Sequence, residues 1–177
     1  MGKTFAEKIF AKKANKEEVF PGETVIITPD VLMTLDADAE IVYRFKELGL
    51  KRVWDPDRIV CALDHYSPAS TVRTATLLKT LREFAKEQGI KYFYDIGEGL
   101  AHEIMVENGH VLPGQFVVGT DSHTPSYGCV GAFSCGIGTS DALPIWAMGR
   151  HWFKVPHSVK IILSGRVPDG VYGKDII

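Results

Sequence analysis

Apolar positions fall into two alternating patterns along this chain, short β-branched runs and longer stretches spaced three or four residues apart. Thr4 followed by Glu7 forms a capping box, and Phe5, Ile9 and Phe10 give the helix behind it an apolar stripe. Pro21-Gly22 turns the chain into a strand over residues 24–28. A helix is predicted over 36–48, with Ile41, Val42, Phe45 and Leu48 on one face and Gly49 as its left-handed stop. Residues 58–63 read as a buried strand ending in Asp64-His65. Leu77, Leu78, Leu81, Phe84 and Ala85 then mark a long helix closed by Gly89. A strand at 92–94 ends in Asp95, and a helix at 100–107 carries His102 near its start. Val117-Val118-Gly119 is the next strand, and it stops at Thr120-Asp121-Ser122-His123. Beyond a glycine-rich segment, 142–153 is predicted to be a short or kinked helix because of Pro144, and 159–163 a final strand. Strands alternating with helices at crossover spacing specify an α/β fold, three-layer α/β/α with a mainly parallel sheet.

Composition narrows this picture. With 177 residues, 45% of them apolar and 24% charged, the chain suits one α/β domain over 1–177 with a sizeable core. A net charge of −2 without a long single-sign block argues against a nucleic-acid partner. No apolar run reaches membrane-spanning length and no signal segment is present, so a membrane partner is not expected. The three cysteines, Cys61, Cys129 and Cys135, form neither an even disulfide set nor a Cys-x-x-Cys pair. They read as small buried packing residues in a reducing, cytoplasmic setting.

The chemistry concentrates at strand ends. In a parallel sheet all carboxyl ends face one edge, where ligands collect. That places Asp64-His65, Asp95 and Asp121-Ser122-His123 on a shared rim, with His102 on a helix leaving the same edge. A carboxylate that accepts one imidazole N–H fixes the tautomer and raises the basicity of the other nitrogen, so such pairs move protons or hold a metal-bound water. The competing use of these acids is to cap the helices that follow them.

Leu63-Asp64-His65, Gly97-Glu98-Gly99-Leu100-Ala101-His102, and Gly119-Thr120-Asp121-Ser122-His123-Thr124 through Gly136-Ile137-Gly138 resemble the aconitase and isopropylmalate dehydratase family in order and spacing. The opening Met1-Gly2-Lys3-Thr4 and Ala6-Glu7-Lys8-Ile9 is similar to the start of its large subunits. Tyr127-Gly128 and Leu112-Pro113-Gly114-Gln115 resemble the isopropylmalate and homoaconitate branch, whereas Thr124-Pro125 resembles aconitase proper.

The resemblance implies a hydro-lyase that uses a [4Fe-4S] cluster to isomerise a hydroxy-polycarboxylic acid such as 3-isopropylmalate or homocitrate, the iron acting as a Lewis acid. It implies that Asp64 orients His65, which protonates the departing hydroxyl, and that His102 and Asp121 form a second pair near the cluster and its water. Ser122 then resembles a substrate-carboxylate ligand. His123 resembles a further histidine at the open iron, whose carboxylate partner comes from later in the chain.

Three departures accompany the match. No cysteine here corresponds to the family's cluster ligands, so this chain alone is expected to bind no cluster and to be inactive. No glutamine lies in 36–48 to match the family's substrate-binding one. The proton-abstracting serine and the substrate-clamping arginines belong to later domains or a small swivelling subunit. The end at Gly173-Lys174-Asp175-Ile176-Ile177, within a family segment, is read as the end of an N-terminal portion. The alternatives are aconitase proper, a divalent-metal hydrolase complete in this chain, and a non-catalytic domain that docks to partner chains.

Overall fold

The structure, a computed structural model, describes residues 2–176; the Met1 and Ile177 of the terminal motifs lie outside them. Helix α1 (Phe5–Lys13) begins at Thr4, whose hydroxyl accepts from Glu7 N while Glu7 reaches back to Thr4 N. Strand β1 (Thr24–Ile27) follows, then β2 (Val31–Leu35) and α2 (Ala39–Glu47), with a 3-10 turn at Asp36–Asp38 between the last two. Next come β3 (Ile59–Ala62), α3 (Val72–Gln88), β4 (Tyr92–Tyr94), α4 (Ala101–Glu107) and β5 (Phe116–Gly119). A 3-10 segment at Thr124–Val130 leads to β6 (Phe133–Gly136), α5 (Thr139–Met148), β7 (His151–Lys154) and a last helical turn, α6 (Gly173–Ile176). No helix among the described residues is long and apolar enough to cross a membrane.

Five strands form one parallel sheet in the order β4-β3-β2-β5-β6, while β1 and β7 pair antiparallel as a separate ribbon. The sheet is covered on both faces, so β3 and β5 are continuously apolar and buried. Leu32, Ile59, Cys61, Phe116 and Val118 point into a core shared with α1, α2, α3 and α5, where Trp146 stacks on Phe84 at 5.0 Å between ring centres. Their neighbours Met33, Leu35, Val60, Ala62 and Val117 pack on the opposite side against Ala101, Ile104 and Met105 of α4 and against Tyr127. This is the period-two alternation of a strand buried on both faces.

Chain direction fixes where a ligand can sit. From β2 the chain steps outward to β3 and β4, then returns to β5 on the other side of β2 and continues to β6. The order therefore reverses between β2 and β5, and the crevice beyond their carboxyl ends is the switch point of the fold. Asp36, Asp64 and Asp121 all follow strands that end there.

Several elements differ from the sequence expectation. The central strand β2 is short and lies directly behind the Pro29-Asp30 turn, and its five residues show no alternation because both faces are buried. The helix predicted over 142–153 is correct only to Met148; beyond Gly149 the chain turns and His151–Lys154 pairs with β1. Residues 159–163 are not a strand. Val159, Ile161, Ile162 and Leu163 are exposed with no ladder partner among the described residues, and β-branched composition without a neighbouring strand does not make a sheet. Cys129 is exposed rather than buried, Cys135 is partly buried and Cys61 is fully enclosed in β3.

Two glycines let the rim close tightly. A Cβ on Gly119 would come within 2.5 Å of Thr124 Oγ1, and one on Gly136 within 2.7 Å of the Asp121 carbonyl oxygen. Gly136→Ala is expected to lower unfolding free energy by about 1–3 kcal/mol, read as a lower urea midpoint at unchanged slope. An unchanged midpoint would show that the Asp121 loop yields freely.

Candidate active site

Two strand ends and one helix start supply the titratable groups. Asp64 leaves β3 with both oxygens engaged. Its Oδ1 is 2.7 Å from His65 Nδ1, and its Oδ2 accepts from Ala101 N, also at 2.7 Å, at the first turn of α4. Capping and imidazole pairing, which stand as alternatives in the sequence, are thus performed by one carboxylate. The cap also fixes α4 against β3, which sets the position of His102 one residue further on.

Asp121 is the centre of the cluster. Its Oδ1 lies 2.7 Å from His102 Nε2 and 3.1 Å from His123 Nδ1, and it accepts from His123 N at 2.7 Å. Its Oδ2 faces His65 Nε2 at 3.9 Å. The carboxylate side chain is 13% exposed, whereas His102, His65 and His123 are 26%, 48% and 79% exposed, so the acid is sunk beneath imidazoles that reach outward. A carboxylate accepts and does not donate, so His102 Nε2 and His123 Nδ1 carry the protons that face it. The Nε2 of His123 is left free toward solvent.

The electrostatics separate the groups. Burial alone would raise the Asp121 carboxyl, but the His123 amide and the His102 and His123 rings outweigh it and hold its pKa below the usual range. Burial likewise opposes the charge on His65, yet the Asp64 hydrogen bond and the carboxylates of Asp64, Asp36 and Asp121 prevail and push its pKa up. His65 is therefore biased toward the proton-bearing form.

A second tier escapes sequence reading. Asp36, at the end of β2, is completely buried; its Oδ2 accepts from Tyr66 N at 2.5 Å and its Oδ1 from Ala37 N at 3.0 Å. Asp38 accepts from Leu35 N at 2.8 Å and from the hydroxyls of Thr139, at 2.9 Å, and Thr120. Desolvation pushes both carboxyls up. These acids tie the ends of β2, β3 and β5 together beneath the histidines. A strand run followed by an acid, the pattern that marks Asp64 and Asp121, also marks Asp36 once β2 is recognised. Tyr127 is a further hidden member: it is fully buried, with its hydroxyl 2.8 Å from His102 Nδ1.

Other expected members stand apart. Asp95 reaches the rim end of β4, but Arg82 binds both its oxygens, at 2.7 and 2.6 Å, and holds its pKa down. Ser122 is exposed, and its hydroxyl has no hydrogen bond among the described residues. Among the described residues the carboxylate facing His123 Nδ1 is that of Asp121, at 3.1 Å.

The thiols do not make a cluster-binding set. Cys61 on β3 and Cys135 on β6 are three strand positions apart in the sheet, about 14 Å at the usual strand spacing. Burial raises their pKa values to about 12 and about 11. The metal-compatible groupings among the described residues, His102/Asp121/His123 and Asp36/Asp64/His65, each lie within 4.8 Å and contain no cysteine.

Comparison with known proteins identifies the family. The family model described as "Aconitase family (aconitate hydratase)" matches residues 7–177. The chain is 46% identical to the 3-isopropylmalate dehydratase large subunit 1 of Methanopyrus kandleri and 44% identical to the large subunit from Aquifex aeolicus, with all of this chain aligned in both cases. It is 49% identical over 76% of its length to a probable methanogen homoaconitase large subunit of Methanosarcina mazei. The chain spans about 42% of the length of the Methanopyrus kandleri relative and 34% of the Methanosarcina mazei one. With the family model matched across nearly the whole chain and the Asp-Ser-His-Thr segment set at the switch point of the sheet, the chain belongs to the aconitase family.

Proposed function

We propose that residues 1–177 form a single α/β domain, the N-terminal portion of a hydro-lyase large subunit of the isopropylmalate or homoaconitate type. Its substrate is a hydroxy-polycarboxylic acid such as 3-isopropylmalate or homocitrate. The observation that carries the reading is the Asp121 carboxylate shared by His102 and His123, with His65 facing its other oxygen.

Loss of water from a hydroxy acid needs a proton delivered to a departing hydroxyl and fixed acceptors for the substrate's carboxylates. His65 suits the first task, because its Nδ1–H is tied to Asp64 and the surrounding carboxylates favour its charged form. Its Nε2–H can then be presented to the leaving oxygen. The exposed Ser122 hydroxyl can donate to a substrate carboxylate at the open side of the rim, beside the free Nε2 of His123. His102 and Asp121 act as the inner pair that sets the charge of the site.

The [4Fe-4S] cluster implied by family membership is assigned to the remaining domains of the large subunit, since the three thiols here do not fit it. A small swivelling subunit is proposed to complete the substrate site. The unpaired thiols support a reducing, cytoplasmic setting.

The direct test is turnover by the complete, iron-loaded enzyme containing this chain, followed as enoate absorbance with 3-isopropylmalate, homocitrate and citrate. One of the first two is expected to be the preferred substrate, with His65→Gln lowering kcat by roughly 10²–10⁴-fold at unchanged iron content. Absence of turnover with every hydroxy-polycarboxylate would overturn the proposal. Stoichiometric zinc binding by this chain, lost in His102→Ala with His123→Ala, would favour a metal hydrolase instead.

A second expectation concerns pH. Nitrogen-resolved NMR should show His65 titrating above the ordinary value of about 6.5 and Asp64→Asn bringing the midpoint down. Because the folded pKa lies above the unfolded one, His65 adds stability that is complete below the unfolded pKa and lost as pH rises through the folded pKa. A midpoint in the parent chain at or below that of an exposed histidine would contradict the assignment.

A further inference from the structure

Tyr127 is the one large aromatic side chain between His123 and Phe133, and it is fully buried beneath the rim among Met33, Ala62, Ala101 and Met105. Its hydroxyl has a single hydrogen-bond partner among the described residues, Nδ1 of His102 at 2.8 Å. The opposite nitrogen of that ring faces Asp121 Oδ1 at 2.7 Å. His102 is thus held between an acceptor that cannot donate and a hydroxyl that can do either.

Proton accounting resolves the ambiguity. At the Asp121 side the ring must donate, so Nε2 carries a hydrogen. A neutral imidazole then presents a lone pair at Nδ1, and the Tyr127 hydroxyl donates to it, leaving every group satisfied. In the charged imidazolium Nδ1 also carries a hydrogen, the hydroxyl is forced to accept, and its own hydrogen is stranded in an apolar pocket. Burial, with the charges of Asp121 and Asp64, raises the phenol pKa, so the hydroxyl keeps its proton. The titratable groups around His102 are Asp121 on its Nε2, the His123 ring with its centre 5.9 Å away, and the Asp64 carboxylate that caps the neighbouring Ala101.

We propose that Tyr127 is a positioning residue that locks His102 as the neutral Nε2–H tautomer. Asp121 then keeps its negative charge for His65 and His123, and one partly buried ring stays uncharged beside a proton-bearing one. Two histidines under the same carboxylate thereby take different protonation states, which a single carboxylate could not impose. The lock itself follows from geometry within this chain; its effect on turnover rests on the dehydratase reading above.

The test is ring-nitrogen NMR of this chain and of Tyr127→Phe, which keeps the buried ring and removes one oxygen. In the parent at neutral pH, His102 is expected to show a protonated Nε2 and an unprotonated Nδ1. In Tyr127→Phe the Nδ1 signal of His102 is expected to move, because that nitrogen loses its hydrogen-bond donor. A protonated Nδ1 at neutral pH in the parent would overturn the proposal without reference to any variant, as would a His102 response in Tyr127→Phe identical to the parent's. In the complete enzyme, Tyr127→Phe should lower kcat about tenfold with KM nearly unchanged. A locked tautomer in a complete enzyme that turns over no hydroxy-polycarboxylate would leave the lock standing and remove the dehydratase reading. Turnover with an unlocked ring would do the reverse.

Discussion

A carboxylate that is 13% exposed yet accepts three donors on one oxygen is the constraint on which this rim depends. An acid in that position is stable as an anion only if the donors are in place before the charge is desolvated. His102 comes from α4, His123 from the loop after β5, and His65 from the loop after β3. Those three sources can meet only where the strand order reverses, so the topology of the sheet and the charge on Asp121 require each other. The glycines at 119 and 136 belong to the same requirement, because side chains there would collide with the loop that carries the acid.

Beneath the histidines, acids that are buried or partly buried hold the strand and helix ends through hydrogen bonds, and the charges of Asp64 and Asp36 reach His65. Asp36 holds the Tyr66 amide, Asp38 ties Leu35 to Thr120 and Thr139, and Asp64 caps α4. Each spans two strand ends or a strand and a helix. The outer histidines can therefore be exposed without being loose, a condition that proton transfer in fixed geometry demands. Tyr127 extends the same logic upward from the core, using an apolar pocket to set the protonation state of a polar ring.

Much of this was legible in the sequence, for identifiable reasons. The capping box at Thr4, the apolar spacing of α2 and α3 and the acids following β3 and β5 are local signals, and local signals survive without a structure. What was hidden depends on distant partners. The five residues of β2 look unremarkable until β3 and β5 flank them, and with β2 unseen Asp36 reads as the start of a helix. Residues 151–154 become a strand only because β1 lies alongside, while 159–163, richer in β-branched residues, have no such neighbour among the described residues. Tyr127 and His102 are 25 positions apart, with no periodicity connecting them. Asp95 shows the converse: its strand-end position was readable, but its commitment to Arg82 was not.

The central claim is that one carboxylate organises three histidines contributed by separate elements. Ring-nitrogen NMR of Asp121→Asn tests it most directly, since the substitution removes the charge and keeps the shape. The account predicts that the ring-nitrogen signals of His65, His102 and His123 all change while those of His110, His151 and His157 stay as in the parent. A change confined to His123, two residues away, would contradict it and leave the rim as three histidines that are merely close together.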